Sequence, residues 1–301
     1  MGFLFNLGVV GVLLGVGGFL ATRPRQRGAL FEPSPLAVLA AVKSTTAYDP
    51  NNDKKAMSQK YAGSRSLLVL ATQDNDLAMQ NGKRFATGNH PVEMLVPLLH
   101  VKNAGVKIVI ATPTGKPVAM EEWALPLKDD AVMSLYRELQ PSLQKPISFA
   151  QAASAKDTYV GIFLVGGHGA IRALDHAEAQ KPLQTLLDDA LASQDTAVAV
   201  ICHGPALLLA ASPSATKGRS LVSFPDFFDE NVAPYMGYLP GKMQWLLGAR
   251  LQEKAGMNLI NANAFAPSGE THQDRLLLSG DSPDAAEPLG RLLARKLIEL
   301  K

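Results

Sequence analysis

AVAVICHGPALLLA, from Ala197 to Ala210, contains the single cysteine of this 301-residue chain. An uninterrupted apolar run ends at Cys202; His203, Gly204 and Pro205 follow, and a second apolar run begins. A short apolar run bounded by turn residues reads as a buried strand, and Gly-Pro before a new apolar run reads as the entry to a helix. Cys202 then stands on a sharp strand-to-helix turn, which exposes a side chain and aims the positive end of the helix at it. That end and the neighbouring His203 both favour thiolate, the reactive form of cysteine. The amide of His203 is placed to donate to an oxyanion. The competing reading is a small buried residue at a strand end.

Working outward, the same strand type recurs in SLLVLAT (66–72), KIVIAT (107–112) and TYVGIFLVGG (158–167). Helical spacing appears over 90–105, ending at Gly105, and over 182–193. SPDAAEPLGRLLARKLIELK (282–301) reads as a closing amphipathic helix, with Ser282 and Pro283 at its start and Lys and Arg toward its end. Buried strands alternating with helices predict an α/β fold: a doubly wound, mostly parallel sheet flanked by helices. Residues 113–157 are too long for one plain crossover and are expected to form an insertion or lid. Residues 28–63 hold Pro33, Pro35 and AYDPNNDKK without a sustained apolar period, and are expected to be linker. The catalytic domain is then 64–301.

Hydrophobic residues are 47% of the chain and charged residues 19%, which supports a large core and excludes wholesale disorder. The net charge is +2, aromatics are 6%, and no basic stripe is visible, so no nucleic-acid partner is expected. One cysteine excludes an intrachain disulfide. Gly2 to Ala21 carries no charge, and Arg23, Arg25 and Arg27 follow. A helix of twenty residues spans roughly 30 Å, the thickness of a bilayer core. Residues 1–27 are therefore expected to be a membrane anchor, with the arginines and the catalytic domain on the cytoplasmic side. The alternative is a signal that exports the chain to the periplasm.

Three further features should meet Cys202 at the carboxyl ends of the strands, where open α/β sheets bind ligands. VGGHGAIRAL (165–174) offers glycines that let backbone approach a ligand. TGNHPVEMLVP (87–97) places Glu93 on an apolar helix, where burial raises a carboxyl and lets it share a proton with a thiol. SFPDFFDENVAPYMGYLPGKMQW (223–245) offers Asp226 and Asp229, either of which can orient His203; spacing does not choose between them. No G-x-G-x-x-G follows a strand, so no nicotinamide cofactor is expected.

Together and in order, NGKRFATGNHPVEMLVPLLH, EEWALP, GGHGAIRAL, ICHGPALLL, FPDFFDE, GYLPGKMQW and LLLSGDSPDAAEPLG resemble the PfpI-like superfamily. Within it they resemble the heat-shock-chaperone branch, the glutathione-independent glyoxalases (glyoxalase III) also described as protein deglycases and holdase chaperones. The resemblance covers residues 65–300. It implies a flavodoxin-like fold, of the kind seen in class I glutamine amidotransferases. By position it makes Cys202 the nucleophile, His203 its acid/base partner and Asp229 the third triad member. Glu93 matches the carboxylate against the thiol, Gly167 and the His203 amide match the oxyanion donors, and His168 lines the pocket. The implied activity is cofactor-free conversion of methylglyoxal or glyoxal to lactate or glycolate, a lyase reaction of the D-lactate dehydratase type. Glycated or unfolded proteins are implied as further partners, and a homodimer as the assembly. The alternatives are a holdase with an incidental triad, and a cysteine peptidase or amidase. Members of this branch can bind a metal through two His and one Glu; the aligned positions here are Lys102, Lys107 and Leu139, so no metal is expected.

Overall fold

The computed structural model describes residues 22–43, 48–49, 51 and 60–300. In chain order the strands are β1 (Arg25–Arg27), β2 (Leu30–Glu32), β3 (Ser66–Leu70), β4 (Asp76–Ala78), β5 (Arg84–Ala86), β6 (Ile108–Thr112), β7 (Ile147–Ser148), β8 (Tyr159–Leu164), β9 (Ala197–Ile201), β10 (Ser220–Leu221), β11 (Asn258–Leu259), β12 (Thr271–Asp274) and β13 (Leu277–Gly280). The main helices are α1 (Pro35–Lys43), α2 (Pro91–Asn103), α3 (Asp130–Gln144), α4 (Phe149–Ser154), α5 (Ala177–Ala192), α6 (Leu247–Ala255) and α7 (Ala286–Glu299).

Seven strands form the central sheet in the order β12-β13-β9-β8-β3-β6-β7. All neighbours are parallel except β12 with β13. The apolar runs form these strands because both sheet faces are covered. Leu67 and Val69 of β3, with Ala197, Ala199 and Ile201 of β9, enter one core with α2 and α7. Leu68, Leu70, Val198 and Val200 enter a second core with α5 and α6. Alternate residues thus face opposite layers, and both layers are apolar, so no polar-out position interrupts the sequence. The chain starts at the sheet centre with β3, adds β6 and β7 on one side, then crosses to β8 and β9 on the other. Such a reversal opens a crevice at the carboxyl ends of the central strands.

Structure begins before the catalytic domain: β1, in the stretch expected to be anchor, and β2, in the stretch expected to be linker, form a hairpin that joins β5 and β4 in a four-stranded sheet. The Ser34 amide then donates to the carbonyl of Gly237 at 2.7 Å, which brings Ala37 of α1 into the pocket wall. Residues 113–157, expected to form an insertion or lid, carry a 3-10 turn (Glu122–Ala124), α3, the edge strand β7 and α4; Trp123 packs edge-on against Tyr238, and β7 pairs with β6 at the sheet edge.

The membrane-anchored arrangement with a cytoplasmic domain is corrected. Among the described residues no helix is long and apolar enough to cross a membrane. The longest, α5, has 16 residues, roughly 24 Å of helix, and carries Glu178, Lys181, Asp188 and Asp189. The segment 2–21 on which that expectation rested lies outside the described residues.

Candidate active site

Cys202 follows β9 directly and has φ +55, the left-handed region, a conformation that costs a non-glycine residue on the order of 1–3 kcal/mol. Backbone bonds hold it there. Its amide donates to the Gly280 carbonyl at the end of β13 (2.9 Å), and its carbonyl accepts from the Phe224 amide (3.2 Å). The helix that follows is a 3-10 helix, Gly204–Ala210.

His203 Nδ1 lies 3.2 Å from Cys202 Sγ, and its Nε2 lies 2.6 Å from Asp229 Oδ2. The other Asp229 oxygen accepts from His168 Nε2 at 2.9 Å. All four side chains are buried. The two imidazoles lie face to face, with centroids 4.0 Å apart. Both imidazoles hold the Asp229 carboxyl well below the usual carboxylate range, overcoming the opposing effect of burial. An ionised Asp229 only accepts, so both rings carry their proton on Nε2. His203 Nδ1 then faces the thiol. Asp226, the other acid that spacing left open, accepts from the Gly248 and Ala249 amides (2.7 and 2.8 Å) and caps α6.

Glu93 is fully buried at the third position of α2. Three contacts fix that helix start. Asn89 exchanges hydrogen bonds with the Thr72 backbone beyond β3 (3.0 and 2.9 Å). The His90 amide donates to the Gly166 carbonyl (3.0 Å), and Pro91 presets the first helical residue. Gly166 is required here: a Cβ on it would run into Glu93 Oε2, 2.6 Å from the Ile201 carbonyl and 2.9 Å from Cys202 Cβ. Gly167 has φ +100, and a Cβ there would lie 2.6 Å from the His90 amide. The glycine pair therefore lets the carboxyl, the thiol and the Gly167 amide converge.

Burial pushes the Glu93 carboxyl well above its ordinary value, and nearby Glu121 and Asp281 push the same way; the thiol and the Gly167 amide oppose them. Neither Glu93 oxygen has a hydrogen-bond partner of good geometry among the described residues. Burial also pushes the Cys202 thiol well up, followed by Glu93 and Asp229, with the Gly167 amide opposing. This is the reverse of the thiolate expected from the turn and its neighbouring histidine, because Cys202 is only 4% exposed and desolvation disfavours the charged form. Thiol and carboxyl act as one coupled acid: ionising either holds the proton on the other.

These groups line a cavity of about 70 Å³, with Phe224, Met236, Tyr238 and Asp284 on its other walls. That is room for on the order of five water-sized groups, at about one probe sphere each. No Lys or Arg lines it among the described residues.

Sequence reasoning missed three polar residues. His90 lines the cavity and is neutral, its pKa lowered to about 3 by burial and by His168. Glu121 is raised to about 7 by burial, accepts from the Thr87 hydroxyl at 2.6 Å, and leaves Oε2 unpartnered among the described residues. Tyr238 packs edge-on against Trp123 and beside His168. The one sequence signal was His90, three residues before Glu93 in GNHPVE. The residues aligned with the branch's metal site do not fit a divalent ion: Lys102 is paired with Glu138, Leu139 packs against the core, and Lys107 offers only an ammonium group.

A model of the DJ-1/PfpI family matches residues 85–239. A protein/nucleic acid deglycase HchA from Pseudomonas aeruginosa (strain UCBPP-PA14) is 37% identical over 279 residues, 89% of this chain and 92% of that protein. The protein of the same name from Staphylococcus aureus (strain MSSA476) is 37% identical over 276 residues, 89% of this chain and 91% of that protein. The crystal structure of glyoxalase III from Candida albicans superposes with a TM-score of 0.56 at 20% identity, over 75% of this chain and 95% of that one.

Proposed function

The chain belongs to the DJ-1/PfpI family, and from that premise we propose that it is a glutathione-independent glyoxalase that turns methylglyoxal or glyoxal into lactate or glycolate through a Cys202 hemithioacetal. The observation that carries this reading is one buried thiol held between a His203–Asp229 pair and the Glu93 carboxyl, in a cavity sized for a three-carbon substrate.

The chemistry follows the geometry. As Cys202 Sγ bonds to the aldehyde carbon, its proton passes to His203 Nδ1, and Asp229 stabilises the imidazolium. The alkoxide forms against the Gly167 and His203 amides and takes that proton back from His203. Glu93, ionised, removes the hydrogen from the former aldehyde carbon and returns it to the neighbouring carbon by way of an enediol. A raised carboxyl is the stronger base for this weak carbon acid. Water hydrolyses the thioester that results. Taken in reverse the net reaction dehydrates lactate, which makes the enzyme a lyase of the D-lactate dehydratase type. No residue here requires glutathione. Repair of early glycation adducts uses the same thiol on a carbonyl already attached to an amine, in keeping with the relatives' name.

The purified full-length protein should form lactate from methylglyoxal without glutathione, and C202A should not. Wild-type turnover by C202A would refute the mechanism. A holdase role is a second reading, favoured by exposed Phe227 (44%), Phe265 (65%) and Tyr235 (82%), the first two stacked edge-on. It predicts suppression of client aggregation that C202A retains.

A further inference from the structure

The steps proposed for Cys202, His203 and Glu93 leave one polar wall of the cavity unused. His90 stands at the N-cap of α2, where a side chain usually accepts from the first turn, yet it makes no cap bond. It is 3% exposed, lines the cavity with Cys202 and Glu93, and its Nδ1 is buried without a partner among the described residues. A buried polar atom left unpaired is costly and calls for an explanation. His90 and Glu93 stand three residues apart at one helix start, the spacing at which an N-cap side chain and the third helical residue are neighbours.

The reaction supplies the matching need. When the aldehyde-carbon hydrogen leaves as a proton to Glu93, its electron pair becomes the carbon–carbon double bond. The π pair of the adjacent ketone moves onto that ketone's oxygen. The Gly167 and His203 amides already hold the first oxygen. The second oxygen, one bond from the atom Glu93 deprotonates, needs a donor beside Glu93.

We propose that His90 is a further catalytic residue, whose imidazole donates a hydrogen bond to the ketone oxygen and stabilises the enediolate. The inference rests on the glyoxalase reading. Return of the proton from Glu93 to the second carbon, with the first hydroxyl proton passing to the second oxygen, completes the isomerisation and leaves His90 unchanged. A neutral imidazole suits this role, because it donates without an added positive charge to ion-pair with Glu93. Burial, His168 and the positive end of α2 all keep it neutral.

H90A and H90Q test this, with Tyr238→Phe as the rival donor. H90A should lower kcat about 100-fold, the loss typical of one oxyanion donor. H90Q keeps an N–H and should stay within about tenfold of wild type. Alkylation of Cys202 by iodoacetamide should change by less than about twofold in both, since the thiol chemistry is untouched. The isotope effect on kcat with aldehyde-deuterated methylglyoxal should be larger in H90A than in wild type. The proposal is overturned if H90A keeps wild-type kcat, if alkylation falls in step with turnover in both variants, or if Y238F suffers the loss instead. If wild type forms no lactate, the glyoxalase reading falls first and takes this one with it; if only the His90 results fail, that reading stands.

Discussion

Replacing Glu93 with Gln separates the two effects of its carboxyl, and they move in opposite directions. The side chain is fully buried against Gly166 and Cys202, and Gln fills nearly the same volume. Gln cannot ionise, so the charge that holds the proton on the thiol is gone. The Cys202 pKa should therefore fall relative to wild type, while burial, the larger cause, still keeps it above the ordinary value. Turnover should fall as well, because the base that moves hydrogen between the two carbons is lost. General acid–base catalysis contributes about 10²–10⁴-fold, or about 3–5 kcal/mol of barrier. Cys202 is the only thiol in the chain, so iodoacetamide labelling reports it alone. The expected result is an alkylation profile shifted to lower pH together with a kcat at least about 100-fold lower. A profile shifted to higher pH would refute the shared proton. A kcat within about threefold of wild type would refute Glu93 as the base.

Four further outcomes follow from the same geometry. G166A must push Glu93 aside, because the Ile201 carbonyl belongs to a central strand and cannot yield; a displacement near 1 Å should cost about 100-fold in kcat and about 1–3 kcal/mol in urea unfolding. Wild-type kcat should keep rising with pH beyond the range in which an ordinary carboxyl has already ionised, since the raised Glu93 carboxyl must ionise to act; a plateau reached within that ordinary range would show the carboxyl unperturbed. For Glu121, the folded state keeps to about pH 7 a proton that the unfolded chain releases near 4.5, so wild type loses stability as pH rises through that window; E121Q should gain up to about 3 kcal/mol relative to wild type over it, measured by unfolding at both ends. D226A should cost about 1 kcal/mol through the lost cap of α6 and leave turnover within about twofold, whereas D229N should abolish most of it.

The central strands were legible because a strand covered on both faces must be apolar at every position, as in VGIFL and AVAVI. Ser282 and Pro283 marked where helical backbone begins, but they open a 3-10 turn (Pro283–Ala285) and α7 itself starts at Ala286. β7 was not legible, since two residues carry no period. The pairing of β2 with β5 joins segments more than fifty residues apart, so a stretch without helical or strand period still became ordered and delivered Ala37 to the pocket. In the site, Cys202 could be placed from where its apolar run stops. Its burial could not, because the walls that desolvate it come from Phe224, Tyr238 and Asp284, distant in sequence. Spacing did not choose between Asp229 and Asp226, whereas the resemblance pointed to Asp229; in the fold, three residues apart, Asp229 reaches His203 and Asp226 caps a helix. His90 and Glu121 stayed hidden because an unpaired buried atom is a property of surroundings, not of a motif.

In the proposed mechanism the Cys202 sulfur carries the substrate through the reaction. Acid quenching during turnover of methylglyoxal, followed by mass spectrometry of the peptide containing Cys202, tests it directly. A three-carbon adduct on Cys202 should appear before lactate, decay as lactate accumulates, and build up no further than the hemithioacetal in E93Q. Lactate formed at full rate with Cys202 unmodified throughout would contradict that mechanism.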